Sequence, residues 1–424
     1  MIEANKTLLV DGPASVNFVS GHAEVLGAPL KAGERIVVRD AKRMPFEVKK
    51  KAEFTLMLGE GAAAEEADGS TVPASWRAAA EKVLGLGKKP LVVVVLGKVD
   101  VGKSSFCAFL ANSLLRSKGR VVVIDGDLGQ SDVCPPASVG YGRVKRPLKD
   151  LFEVSADDVF FIGVTTPSGV MDRVIAGLVK MKKEASEKTG ADFLLVNTDG
   201  WVEGQDAGKY KVSVVEAVNP EWVVGLQQQG ELAHILGALK VESVSVEAPV
   251  AVMERDREKR KMLRELSYKK YLRGAKVLIF PLSWMRIEGV PLGAGALPRR
   301  PQMQKITELL SLSPLHCEET ATTVLLVLGA QQWVHRDRIK AIEEAFKKKV
   351  LVMREGDEEG LLVSLQDERG KFSGIGILNA IDYERKTMKV YTPAKGKVSL
   401  ISVGQIKLDK DCGELGINPI STEI

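Results

Sequence analysis

A strand-length apolar run, Leu91–Leu96, leads straight into Gly97-Lys98-Val99-Asp100-Val101-Gly102-Lys103-Ser104, and a helical stretch over Ser104–Lys118 follows. The octapeptide is a full match to GxxxxGK[ST], and strand, glycine loop and helix in that order leave few folds open. Glycines let backbone N–H groups approach an anion, and the helix N-terminus adds positive potential there. The surrounding pattern agrees. Runs at Arg120–Ile124, Val159–Val164, Phe193–Asn197 and Trp222–Leu226 alternate with helical stretches such as Val170–Lys188. They predict a P-loop α/β core with a mainly parallel sheet covered by helices on both faces.

In such a loop Lys103 is expected on the β- and γ-phosphates of a nucleotide, with the Ser104 hydroxyl on Mg²⁺. The second strand runs into Asp125-Gly126-Asp127-Leu128-Gly129-Gln130. Two carboxylates at i and i+2 on an extended chain end point to the same side. They stand where an acid holds the metal or, with an alcohol acceptor, takes the hydroxyl proton during phosphoryl transfer. Guanine selection would call for [NT]KxD after a later strand. The corresponding strand ends Asn197-Thr198-Asp199-Gly200-Trp201, without the lysine, so a GTPase is not supported. Lys98, five residues before Lys103, stands where dimeric ATPases with a deviant P-loop carry a second lysine, and that class remains an alternative.

Around the core the texture changes. Residues 1 to about 75 hold short β-rich runs (Ser15–Val19, Ala23–Leu26, Arg35–Val38, Ala52–Leu58) punctuated by Gly and Pro, the pattern of a small all-β domain. Gly59–Thr71 reads as a mobile turn, Trp76–Leu84 as a helix, and Gly85-Leu86-Gly87 as a hinge. After Glu318 strands dominate again, at Val350–Met353, Gly360–Ser364, Ile375–Leu378 and Met388–Tyr391, with one helix near Arg338–Lys348. They predict a small barrel or sandwich. The expected division is an N-terminal β domain over 1–85, a core over 86–312 and a C-terminal β domain over 313–424.

Charge is concentrated. Between Met253 and Lys276 ten Lys or Arg face four acids, a net +6 that exceeds the +5 of the whole chain. Such a segment attracts phosphates. The four cysteines and four histidines are scattered, which argues against a disulfide framework or a zinc site. No apolar run is long enough to span a membrane, and the N-terminal sixteen residues lack a basic leader with an apolar segment, so a cytoplasmic protein is expected.

The ordered set GKVDVGKS, DGDLGQ, TTPSG (Thr165–Gly169), NTDGW and an arginine-rich lid resembles the polynucleotide 5′-hydroxyl kinase family. That family includes RNA kinase subunits of pre-mRNA cleavage, tRNA splicing and rRNA processing, with archaeal relatives. The resemblance extends over most of the chain. It implies ATP and Mg²⁺ as cofactors, single-stranded RNA or DNA 5′ ends as acceptor, and protein partners in RNA processing. By the same resemblance Gly97 to Ser104, with Ser105, form the ATP cradle, and Asp127 is the general base. Gln130 lies near the metal or acceptor, and Asp125 is an added metal-shell ligand or shares the base role. Thr166 and Pro167 match a turn that clasps the nucleic-acid end, and Trp201 is a base-stacking platform. Arg255 and Arg260 fit two lid arginines, with Arg257 able to replace either. An ATP-locked scaffold within an RNA-processing complex is a further alternative.

Overall fold

The computed structural model describes residues 1–289, 292–293 and 295–417. The chain forms two compact units, Met1–Ser267 and Tyr268–Ile424.

The first unit opens with a six-stranded antiparallel sheet of β1 (Lys6–Asp11), β2 (Ala14–Val25), β3 (Ala28–Pro29), β4 (Glu34–Val38), β5 (Arg43–Leu58) and β6 (Ala64–Asp68). Along β2 buried residues alternate with less buried ones over Ala14–Phe18, the period-two pattern of a sheet with one face on a core. The stretch expected as a mobile turn contains β6, which pairs with β1. Its acidic, alanine-rich sequence hid the strand, because backbone pairing with β1 rather than side-chain burial holds it there.

After α1 (Ala74–Gly85) come β7 (Leu91–Gly97), α2 (Lys103–Arg116), β8 (Val121–Gly126), β9 (Ser138–Val144), β10 (Asp158–Phe161), α3 (Met171–Thr189), β11 (Phe193–Thr198), α4 (Gln205–Val218), β12 (Trp222–Gln227), α5 (Ala233–Leu236) and β13 (Ser243–Glu247). The sheet order is β10-β9-β8-β11-β7-β12-β13. The five strands from β8 to β13 are parallel. Both residues facing up and those facing down along β7 are buried, as in a sheet covered on both faces. One correction concerns Val159–Val164, expected as a parallel strand. The strand is β10, and it pairs antiparallel with β9, itself antiparallel to β8. Eleven residues separate β8 from β9, with no helix among them, so the chain turns back instead of crossing over.

One face of this sheet, α1, α2 and the inner face of the N-terminal sheet share a continuous apolar core that includes Phe18, Phe46, Trp76, Phe106 and Leu110. The opposite face packs on α3 and α4 through Val174, Leu178, Tyr210 and Val214. The five parallel strands therefore end together at one edge, where open α/β sheets bind ligands.

A last helix, α6 (Arg257–Tyr271), carries the basic segment across the unit boundary. The second unit holds β14 (Lys276–Pro281), β15 (Arg286–Glu288), α7 (Arg300–Leu310), β16 (His316–Glu319), β17 (Thr323–Leu328), α8 (Arg336–Phe346), β18 (Lys349–Arg354), β19 (Leu361–Gln366), β20 (Phe372–Asp382), β21 (Thr387–Thr392), β22 (Leu400–Leu408) and β23 (Glu414–Ile417). Seven of these strands form one sheet, and β16-β17-β18 form a second. The expected boundary near 312 falls inside this unit, because β14 pairs with β21 and β15 with β22. The small sheet shares a core with the large one, through Leu325, Val327, Leu351 and Met353 against Leu361, Val363 and Ile401, and its other face carries helices. Its β17 and β18 are parallel, joined through α8, and its core is capped by α7 and α8 through Ile306 and Ile342.

Candidate active site

At the carboxyl end of β7 the loop is shaped by two glycines. Gly102 has φ +94, a left-handed conformation that only glycine adopts without strain, and it caps α2. Gly200, beyond the end of β11, lies so near the loop that a Cβ there would sit 2.6 Å from the Val99 nitrogen. Lys103 is buried, and its Nζ donates to the Lys98 carbonyl at 2.7 Å. Burial lowers its pKa, opposed mainly by the Asp127 carboxylate. The Lys98 ammonium turns away and pairs with Glu203 at 2.7 Å.

A cleft of about 1210 Å³, open to solvent, lies over this loop. Val99, Asp100, Gly102, Lys103, Ser104 and Ser105 line its floor, and Asp127 and Gln130 line one wall. Its apolar end is made by Leu26, Val72, Trp76 and Pro249. The Trp76 indole is fixed by donating to the Glu247 carbonyl at 2.9 Å.

The two carboxylates of the β8 end differ sharply. Asp125 is fully buried and accepts from the Asn197 amide, the Ser131 hydroxyl and the backbone N–H groups of Asp127, Asp132 and Val133. It holds the loop 127–133 in shape and is not among the cleft residues. Burial first, then the neighbouring Asp127 and Asp132, push its carboxyl up to about 6. Asp127 faces the cleft, with Oδ1 accepting from the Gly129 and Gln130 N–H groups at 3.1 and 2.9 Å. Burial raises its pKa against the pull of Lys103.

The Gln130 amide donates to the Gly129 and Arg260 carbonyls, leaving Oε1 buried without a hydrogen-bond partner. No cluster of three His, Cys, Asp or Glu that could cage a metal occurs among the described residues. The donor set that remains, the Ser104 hydroxyl, the Asp127 carboxylate and the orphaned Gln130 Oε1, is all oxygen. It fits Mg²⁺, which keeps waters and shares phosphate oxygens rather than filling a protein cage.

The lid residues separate. Arg255 lines the cleft, and Arg255 and Arg260 both contact Asp100 of the loop. Arg257 is exposed and does neither. Thr166, Pro167 and Trp201 lie outside the cleft lining. The turn that carries Thr166 passes the cleft wall, since a Cβ on Gly129 would be 3.1 Å from the Thr165 carbonyl oxygen. Trp201 is half-buried, with its ring 5.8 Å from that of Tyr210.

Sequence reasoning missed three groups. Arg39, Lys42 and Arg43 reach the cleft from the β4–β5 turn. Lys42 and Arg39 grip Asp132, and Arg39 also grips Asp150. Arg264 lines the cleft one turn beyond Arg260, and their i, i+4 spacing was a usable signal. Lys211 on α4 is fully buried, its Nζ 2.8 Å from both the carboxylate and the carbonyl of Asp199.

Strand, glycine loop, buried lysine and acid-lined cleft define a P-loop nucleotide-binding protein of the phosphoryl-transfer type. Residues 97–274 match the family model described as the mRNA cleavage and polyadenylation factor CLP1 P-loop. A polyribonucleotide 5′-hydroxyl-kinase of Pyrococcus horikoshii is 28% identical over 349 residues, covering 82% of this chain and 93% of its own. A CLP1 homologue of Nematostella vectensis is 26% identical over 419 residues, covering 91% and 88%. A solved structure titled as a wild-type Clp1p–Pcf11p complex superposes with TM-score 0.67 over 96% of both chains at 11% identity, which bears on the fold alone.

Proposed function

We propose that this chain is an ATP-dependent polynucleotide 5′-hydroxyl kinase acting on RNA 5′ ends. The observation that carries the reading is the convergence of Lys103, Ser104, Asp127 and Arg255 on one cleft. The relatives named polyribonucleotide 5′-hydroxyl-kinases support the acceptor.

In this reading the loop backbone and Lys103 hold the triphosphate, and the apolar end of the cleft takes the base. Mg²⁺, held by Ser104 with Asp127 or Gln130, supplies charge neutralisation at the phosphates when bound. Asp127 accepts the proton of the 5′-hydroxyl as its oxygen bonds to the γ-phosphorus. The bond from that phosphorus to the β–γ bridging oxygen breaks, and ADP leaves with the electron pair. Arg255 and Arg260 offset the charge spread over the transferring group. Burial of Asp127 gives it more base strength than an exposed carboxylate would have. Asp125 serves as the organiser of the loop that carries Asp127. Thr166, Pro167 and Trp201 would meet the nucleic-acid end outside the nucleotide cleft, with Arg257 on the same approach. The flanking sheets are read as accessory β domains, suited to partner contacts in RNA processing. Lys98, the residue that suggested a dimeric ATPase, pairs with Glu203 of its own chain.

The test is transfer of labelled γ-phosphate from ATP to matched 5′-hydroxyl RNA and DNA oligonucleotides. Lys103→Ala should abolish labelling, and Asp127→Ala should bind ATP without turnover. ATP hydrolysis with no label on the oligonucleotide would sink the reading.

A further inference from the structure

Asp100 sits in the middle of the phosphate loop with φ +60, a left-handed conformation that Asp tolerates better than most side chains. Its side chain is only 6% exposed, yet it touches two cations. Oδ1 accepts from Arg255 Nη1 at 3.0 Å, and Oδ2 accepts from the Arg255 backbone N–H at 3.1 Å and from Arg260 Nη2 at 3.0 Å. One loop carboxylate thus fastens both ends of the segment Arg255–Arg260. Two further bonds hold the same segment: Arg255 Nε donates to the Ala41 carbonyl at 2.8 Å, and the Gln130 amide donates to the Arg260 carbonyl at 3.0 Å.

We propose that Asp100 is a positioning residue, which clamps Arg255 and Arg260 beside the phosphate cradle before nucleotide arrives. The proposal rests on the kinase reading for its catalytic consequence, although the clamp itself does not. A guanidinium has five donors, so a bond to Asp100 leaves others for a phosphoryl oxygen. Arg260 Nε is in fact buried without a hydrogen-bond partner. Arginines held in place need no reorganisation as charge develops, whereas arginines on a free segment would have to be ordered in every turnover. The carboxylate also offsets two guanidinium charges that would otherwise repel each other beside the buried Lys103.

Two measurements on Asp100→Ala and the isosteric Asp100→Asn test this. Trypsin cutting after the basic residues 255–261 in nucleotide-free protein reads the clamp without any activity. The cutting rate should rise about tenfold in Asp100→Ala and less in Asp100→Asn, with unchanged thermal unfolding excluding global damage. Unchanged cutting in both variants overturns the proposal, whether or not the protein transfers phosphate. The second measurement is a kinetic cycle with Arg260→Ala. Asp100→Ala should lower kcat about tenfold with ATP KM moving less than about threefold, and should cost less in the Arg260→Ala background than alone, the remainder reporting the clamp on Arg255. Fully multiplicative losses in the double variant would overturn the coupling. A wild-type protein that labels no oligonucleotide would refute the kinase reading instead, with the trypsin result still deciding the clamp.

Discussion

Replacing Lys211 by Met should destabilise the first unit by about 3 kcal/mol, the lower end of the roughly 3–5 kcal/mol seen when one partner of a buried ion pair is removed. The side chain of Lys211 has no solvent exposure, and that of Asp199 has 7%. Methionine fills nearly the same volume, so little cavity cost is added. What is lost is the cation beside Asp199, whose carboxylate then stays buried. Two other donors cushion the loss: the Trp201 N–H at 2.9 Å on Oδ1 and the Tyr210 hydroxyl at 3.0 Å on Oδ2. These remaining bonds place the expectation at the low end. At about 2–4 °C per kcal/mol for a unit of this size, the melting temperature should fall by roughly 6–12 °C. Scanning calorimetry at neutral pH without nucleotide measures it. Adding Asp199→Asn should recover most of the loss, because the amide oxygen still accepts from Trp201 or Tyr210 and no charge remains. A loss below about 1 kcal/mol, or a double variant no better than the single one, would refute the argument that an unpaired buried charge sets the cost.

The same lysine bears on turnover. Burial raises the Asp127 pKa while Lys103 and Lys211 pull it down, so kcat should climb with pH as Asp127 loses its proton. Lys211→Met should move that acid limb to higher pH, and a limb that stays put would remove Asp127 as the titrating base. Gly200→Ala should weaken ATP binding about tenfold or more, since the new Cβ meets the Val99 nitrogen and Cα at 2.6 and 2.7 Å and the cradle must shift. Unaltered affinity by titration calorimetry would show that the loop has room to give. Against burial, Lys42 and Arg39 hold the carboxyls of Asp132 and Asp150 below their ordinary 3.8. Their contribution to stability is therefore present above about pH 4 and lost as pH falls through the depressed folded values. Arg39→Ala should lower stability at neutral pH and flatten this acid loss, which denaturant titrations at pH 7 and pH 3 would read.

What could be read from the sequence is what local order encodes. Four parallel strands appear as unbroken apolar runs because both faces of their sheet are covered, and the phosphate loop is a contiguous octapeptide between a strand and a helix. The strand Ser138–Val144 escaped notice because SVGYGRV carries two glycines and no apolar run, although four of its residues pair with β10. The charged groups behind the site are illegible for a different reason. Arg39 is 93 residues from Asp132 and 111 from Asp150, and a basic turn between two strands looks like any solvated loop until its partners are in view. Lys211 shows the same limit over a shorter span. On a helix beginning GlnAspAlaGlyLysTyrLys it reads as a surface cation, and only the proximity of the β11 end makes it a buried one. Arg255, Arg257 and Arg260 could not be ranked by spacing either. Their difference comes from Asp100, a residue whose motif position requires no particular side chain. The carboxylate at that free position selects Arg255 and Arg260 and leaves Arg257 at the exposed start of α6. The variable positions of a phosphate loop therefore carry information about which lid can close on it.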